Sequence, residues 1–194
     1  MGGEHTVGHD LWYENEASLT WNKLQNNVVS LNMAGWGQDL ERRMLWANLA
    51  NTKTMVVVLQ DHRRTTQQIQ NMQYEIEETW LGERTGNKAA WAHAPASSNR
   101  IGGVTIAIHP ALARYAKHED KWYDQRGWGR WTAITLVGRK RNTVIIGTYG
   151  PTPNDNEDSE NAMWQKQLRE MRKLPAEEQA TDPRAQYMFD MKNM

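Results

Sequence analysis

The sequence predicts an α/β fold: a mixed β-sheet sandwich with flanking helices. Three observations carry that prediction. Short β-branched runs alternate with helical stretches in the first half, two β runs joined by a turn-like segment follow in the second, and no repeat occurs at the usual solenoid periods. The chain has 194 residues, enough for one domain that buries roughly 70% of its unfolded surface.

Residues 1–25 are polar, with Trp12, Tyr13 and Trp21 scattered without a period, and read as an N-terminal extension that packs through those rings. Val28-Val29-Ser30-Leu31 is a short strand that ends at Asn32 and enters the sharp turn Gly35-Trp36-Gly37. A helix is expected from Gln38 to about Asn51, with Leu40, Met44, Leu45 and Ala47 near helical spacing and Arg42 and Arg43 facing outward. Met55-Val56-Val57-Val58-Leu59 is an uninterrupted apolar run, the pattern of a strand covered on both faces, and it ends in Gln60-Asp61-His62-Arg63-Arg64. A second helix over 66–80 aligns Ile69, Met72 or Gln73, Ile76 and Trp80, before Gly82 and Gly86 break the chain.

Lys88 to Ala94 fits an edge strand and Ile101 to Ile108 a further strand, with the polar stretch from Ala111 to Gly129 expected as a long connection. Arg130 to Val137 and Thr143 to Thr148 read as an antiparallel hairpin around the basic segment Gly138-Arg139-Lys140-Arg141-Asn142. Pro151 to Asn156 forms a rigid polar loop, with Asp158 or Ser159 as the cap of a helix from Glu160 to Leu174. The domain is expected over 26–175, with 176–194 a polar tail, helical from Pro183.

Acidic and basic residues balance at 23 each, so no global field draws the chain to nucleic acid or an anionic membrane, and any such contact is local. The absence of cysteine excludes disulfides, thiolate zinc sites and a cysteine nucleophile. No stretch has the apolar length of a membrane span and the N-terminus has no secretory pattern, so an intracellular location is expected, with cytoplasm, nucleus and organelle left open. Met1 to Thr6 matches the loose myristoylation pattern, with an acidic Glu4 inside it.

Four segments carry a family resemblance over about residues 26–175. Val28 to Gly35 resembles the first strand of the endonuclease/exonuclease/phosphatase family, ending in asparagine and a glycine turn. Val56 to Asp61 resembles the second, which in the family ends in Leu-Gln-Glu. Gly102-Gly103-Val104-Thr105-Ile106 resembles the glycine-led third strand. Gly129-Arg130 and Val144 to Pro151 resemble the hairpin that ends in Tyr-Ala-Pro. The closest flavour is that of retrotransposon-type endonucleases related to apurinic-site endonucleases.

The resemblance implies a partial four-layer fold and Mg²⁺-dependent phosphodiester hydrolysis. It makes Asp61 the metal ligand, Asn32 a binder of phosphate or metal-bound water, and Tyr149 a stabiliser of the attacked phosphate, with DNA or RNA as substrate. Asp61 is one methylene shorter than the family's glutamate, and the later Gly-Asp-x-Asn strand and closing Asp-His pair have no counterpart, so the chain alone is expected to be inactive. The alternative is a catalytically silent structural or interaction subunit. A fold carrying mainly the first sheet would leave Val56, Val58, Val104, Ile106, Val144 and Ile146 partly uncovered, so a protein partner, another copy or the N-terminal arm is expected to cover them.

Without the family, Asn32 reads as a turn side chain bonding its own backbone, and Asp61 as a helix cap. His62, Arg63 and Arg64 read as a surface basic cluster, His109 as a strand-end residue, and Arg139 to Arg141 as a solvated hairpin tip. Trp122, Trp128, Trp131 and Trp164 read as core residues before base-stacking ones. Asp190-Met191-Lys192-Asn193 has the letters of a catalytic motif without its preceding strand and glycine.

Overall fold

The structure is a computed structural model and describes residues 28–80, 88–97, 101–138, 141–150 and 158–192, without the side chains of 118–120 and 158–163. The expectations for the N-terminal extension, the loop over 151–156, Arg139 and Lys140 fall outside that range.

Two sheets form, as the alternation of runs predicts. The first contains β1 (Val28–Asn32), β2 (Val56–Gln60), β3 (Ala90–Ala94) and β4 (Val104–Ile108) in the order β1-β2-β4-β3. β1 and β2 are parallel, and β4 is antiparallel to both β2 and β3. Residues alternate across this sheet: Val56, Val58, Val104, Ile106 and Ile108 face the second sheet, whereas Val57, Leu59 and Ala107 face helices. Those helices are α1 (Asp39–Asn51) and α2 (Thr66–Trp80).

α2 buries Ile69, Met72, Ile76 and Trp80, the stripe its sequence predicts. α1 does not bury the expected one. Leu40 and Met44 are 70% and 61% exposed, while Trp46 and Leu49 are buried. Arg42 turns inward with them, donating from Nε to Glu75 Oε1 at 2.6 Å, and the Trp36 and Trp46 indoles also donate to Glu75. Burial raises the Glu75 carboxyl, but these donors overcome it and hold the group below its ordinary value. The α1–α2 seam is thus organised around a charge, which apolar spacing alone does not reveal.

The second sheet contains β5 (Ala116–Tyr123), β6 (Trp131–Leu136) and β7 (Thr143–Thr148), all antiparallel. β6 and β7 are the predicted hairpin. The expected long connection over 111–129 instead holds a short helix, α3 (Pro110–Ala113), and β5 itself. β5 escaped prediction because its polar sequence AKHEDKWY has no apolar alternation and its register shifts between Lys117 and Lys121. His109 precedes α3 and its Nδ1 accepts from Ala111 N–H at 3.2 Å.

Closure of the second sheet over the first corrects the expectation of uncovered strand faces. Val56, Val58, Val104 and Ile106 are all buried, and only Val144 and Ile146, on the outward side of β7, remain about half exposed. Gly147 permits this approach: a Cβ there would lie 2.8 Å from both Val58 Cγ1 and Val104 Cγ1. α4 (Asp158–Met171) and α5 (Pro183–Lys192) complete the described fold, with a 3-10 turn at Ala176–Glu178 between them. α5 is docked on the fold: Gln186 is buried and Asp190 pairs with Arg126. Among the described residues, no helix is long and apolar enough to cross a membrane.

Candidate functional site

The chain leaves β2 through a bent segment in which Asp61 (φ 50°) and Arg63 (φ 56°) both adopt the left-handed conformation. For residues with a Cβ this costs on the order of 1 kcal/mol each. Cross-links to the start of β4 offset that cost. His62 N–H and Arg63 N–H donate to the carbonyls of Gly103 and Gly102, and Gly35 N–H donates to the Asp61 carbonyl at 2.8 Å.

The Asp61 side chain is part of this brace. Its Oδ1 accepts from Gly102 N–H at 3.1 Å, and its Oδ2 accepts from Arg63 Nε and Nη2 at 3.2 and 3.0 Å. The carboxylate is buried. It does not cap α2, which begins at Thr66 with Gln68 Oε1 accepting from Thr65 N–H.

His62 is fully buried and not part of a surface basic cluster. Its Nδ1 accepts from Arg64 N–H at 3.0 Å, which puts the proton of the neutral ring on Nε2, 3.1 Å from Thr105 Oγ1. The same hydroxyl lies 2.9 Å from His93 Nδ1, and His93 Nε2 lies 2.7 Å from the Gln73 amide. Burial lowers His62 to about 3, helped by the charges of His93 and Arg64, and lowers His93 to about 4, helped by Lys121. Gly103 is required against the ring: at φ +94° a Cβ would sit 2.5 Å from His62 Cε1. Sequence reasoning missed this His62–Thr105–His93–Gln73 chain, whose only early signal is two polar residues, His93 and Thr105, within otherwise apolar strands.

The other expected site residues lie at the same end of the two sheets. Asn32 closes β1 opposite Gln60, and its Oδ1 accepts from Ala34 N–H at 3.0 Å, the turn role its sequence context suggests. Tyr149 follows β7, donates its backbone N–H to the Arg130 carbonyl at 2.7 Å, and carries the Arg130 guanidinium 5.3 Å from its ring centroid. Arg130 precedes β6, and its N–H and that of Arg126 donate to the buried Asp124 carboxylate, which burial raises above its ordinary value against the pull of these backbone donors.

As arranged, this end offers a divalent cation little: of the Asp61 lone pairs, one on Oδ1 stays open. Mg²⁺ takes oxygen ligands with open lone pairs; Asp61 Oδ2 already accepts two bonds from the Arg63 guanidinium, and Oδ1 accepts one from Gly102 N–H. Among the described residues, no group of three or more His, Asp or Glu side chains gathers to hold a metal.

The sequence matches no protein-family profile and no curated protein sequence. Among solved structures, the fold is similar to the crystal structure of the AP endonuclease LMAP from Leishmania major, with a TM-score of 0.48 and 12% identity over 81% of this chain and 51% of that one. The chain therefore spans about half the length of that enzyme. The two-sheet α/β architecture itself stands on the chain's own strand pairing.

Proposed function

We propose that this chain is a catalytically silent protein of nuclease-like architecture that serves as an interaction component of a larger assembly. The observation that carries this reading is the use of the Asp61 carboxylate as a brace between β2 and β4, neutralised by Arg63. A carboxylate so engaged competes poorly for a metal, because its charge is already paired with Arg63 and one open lone pair remains on Oδ1.

The second reading is a Mg²⁺-dependent phosphodiester hydrolase acting on DNA or RNA. It is supported by the position of Asn32, Asp61 and Tyr149 at one end of both sheets. The two readings separate in one assay: the chain is incubated with millimolar Mg²⁺ and abasic duplex, intact duplex or single-stranded RNA. The silent reading expects no cleavage above that of the Asp61→Asn variant. Mg²⁺-dependent turnover that is lost in Asp61→Asn would overturn it.

A further inference from the structure

A cavity of about 750 Å³ opens between the β5–β6 end of the second sheet and the C-terminal helices. That volume suits a compact ligand group. Aromatic rings supply much of its wall: Trp122, Tyr123, Trp128, Trp131 and Phe189. Tyr123 and Phe189 are 53% and 37% exposed, so faces remain open beside the buried Trp128 and Trp131.

The charged lining is unbalanced, with Glu170, Glu178 and Asp190 set against Arg126 alone. Two of these carboxylates are engaged: Asp190 accepts from Arg126 and Gln186, and Glu170 Oε2 accepts from the Trp128 indole at 2.6 Å. The Glu178 carboxylate has no hydrogen-bonding partner among the described residues. An excess of negative charge beside aromatic faces repels phosphate and attracts an organic cation, because the ring quadrupole presents its negative face. The cavity wall already uses this mode, with the Arg126 guanidinium 5.9 Å from the Trp128 centroid while paired to Asp190.

One further group points to a ligand larger than a free cation. Trp131 lines the cavity, is 5% exposed, and its indole N–H has no partner among the described residues. A buried donor of this kind costs stability unless an acceptor reaches it. A peptide carbonyl next to a cationic side chain becomes such an acceptor when the wall around this buried nitrogen parts.

We propose that this cavity binds a lysine or arginine side chain presented by a partner peptide, with Glu178 and the rings of Trp122, Tyr123 and Phe189 forming the cation site. The site goes beyond the proposed silent role and does not depend on it, since none of its residues touches Asp61. Its test uses the full chain labelled with ¹⁵N and follows the tryptophan indole resonances during titration. The probes are N-acetyl-lysine methylamide, N-acetyl-arginine methylamide, neutral N-acetyl-norleucine methylamide, tetramethylammonium and deoxyadenosine monophosphate.

The lysine or arginine probe is expected to shift the indoles of Trp128 and Trp131 saturably, with the norleucine probe about tenfold weaker. Glu178→Gln and Tyr123→Ala, both at exposed positions, are each expected to weaken the cationic probe by about two- to fivefold. Equal affinity for norleucine, binding of the mononucleotide in place of the cations, unchanged affinity in both variants, or no saturable shift would overturn the proposal. Tetramethylammonium binding as tightly as the lysine probe would overturn the peptide assignment.

Discussion

Two Arg–Asp pairs in this fold are joined through the same guanidinium edge, Nε and Nη2, and have opposite surroundings. Arg63 meets Asp61 at 3.0 Å, and Arg126 meets Asp190 with a 2.7 Å contact from Nη2. In each pair the carboxylate also accepts a second donor, the Gly102 N–H for Asp61 and the Gln186 amide for Asp190. The Asp61 side chain is 3% exposed and that of Asp190 17%. Around Asp61 the donors and acceptors of the brace are consumed within the fold. Around Asp190 a carboxylate and several aromatic faces are left for an outside partner. The same pair of residue types therefore braces a strand crossing in one region and borders a recognition cavity in the other.

The comparison is broken most severely at Gly103. In Gly103→Ala the new Cβ meets the His62 ring at 2.5 Å on a backbone at φ +94°, so a loss of about 3–5 kcal/mol is expected by urea denaturation. A loss under about 1 kcal/mol would mean that His62 moves aside and that this region is not rigid. Next in size is Asp61→Ala, which removes the acceptor of Gly102 N–H and the partner of a half-exposed Arg63. About 2–3 kcal/mol is expected, with Asp61→Asn losing less because the amide oxygen still accepts. Millimolar Mg²⁺ is expected to leave the wild-type melting temperature unchanged; a rise that disappears in Asp61→Asn would contradict the brace.

Acid sharpens the same contrast. His62 and His93 are held neutral, at about 3 and about 4, whereas the unfolded chain protonates them near the ordinary histidine value. Below that value the unfolded state binds protons that the folded state refuses, so their contribution is present at neutral pH and lost as pH falls toward the folded values. Stability is expected to fall by roughly 1 kcal/mol per histidine by about pH 5.5. His109, also lowered by burial, adds in the same direction, while the raised Asp124 acts oppositely in the carboxylate range. Equilibrium denaturation across pH 7 to 5 reads the slope, and His62→Gln should remove about half of the network's share. A flat profile would show that the rings take up protons in the folded state.

Local periodicity made much of this fold legible. The α2 stripe, the buried β2 run and the β6–β7 hairpin depend on neighbours in sequence, and they formed as predicted. β5 and the inner face of α1 were not legible, because a bulged polar strand and an inward arginine are decided by partners elsewhere. The same reasoning separates the site residues. Asn32 bonds two residues ahead, and its turn role was readable. Asp61 takes its partner from Gly102, 41 positions away, and nothing in its local sequence distinguishes a brace from a ligand. The cavity gathers residues from β5, the β5–β6 loop, β6, α4, the 3-10 turn and α5, so its charge imbalance exists only after folding.

The smallest expected effect belongs to Asp190→Ala, and it tests whether the second region is as open as its exposure suggests. The substitution removes a partner from both Arg126 and Gln186, yet Arg126 keeps the Trp128 face and gains access to water through the cavity mouth. A partly exposed pair with an alternative resting place contributes about 1 kcal/mol or less, and the change should be confined to the element that Asp190 anchors. Amide exchange is expected to quicken in α5 while β2, β4 and β6 keep wild-type protection. Quickened exchange in the sheets as well would make α5 part of the cooperative core, and the contrast between the two pairs would then be one of position rather than of rigidity.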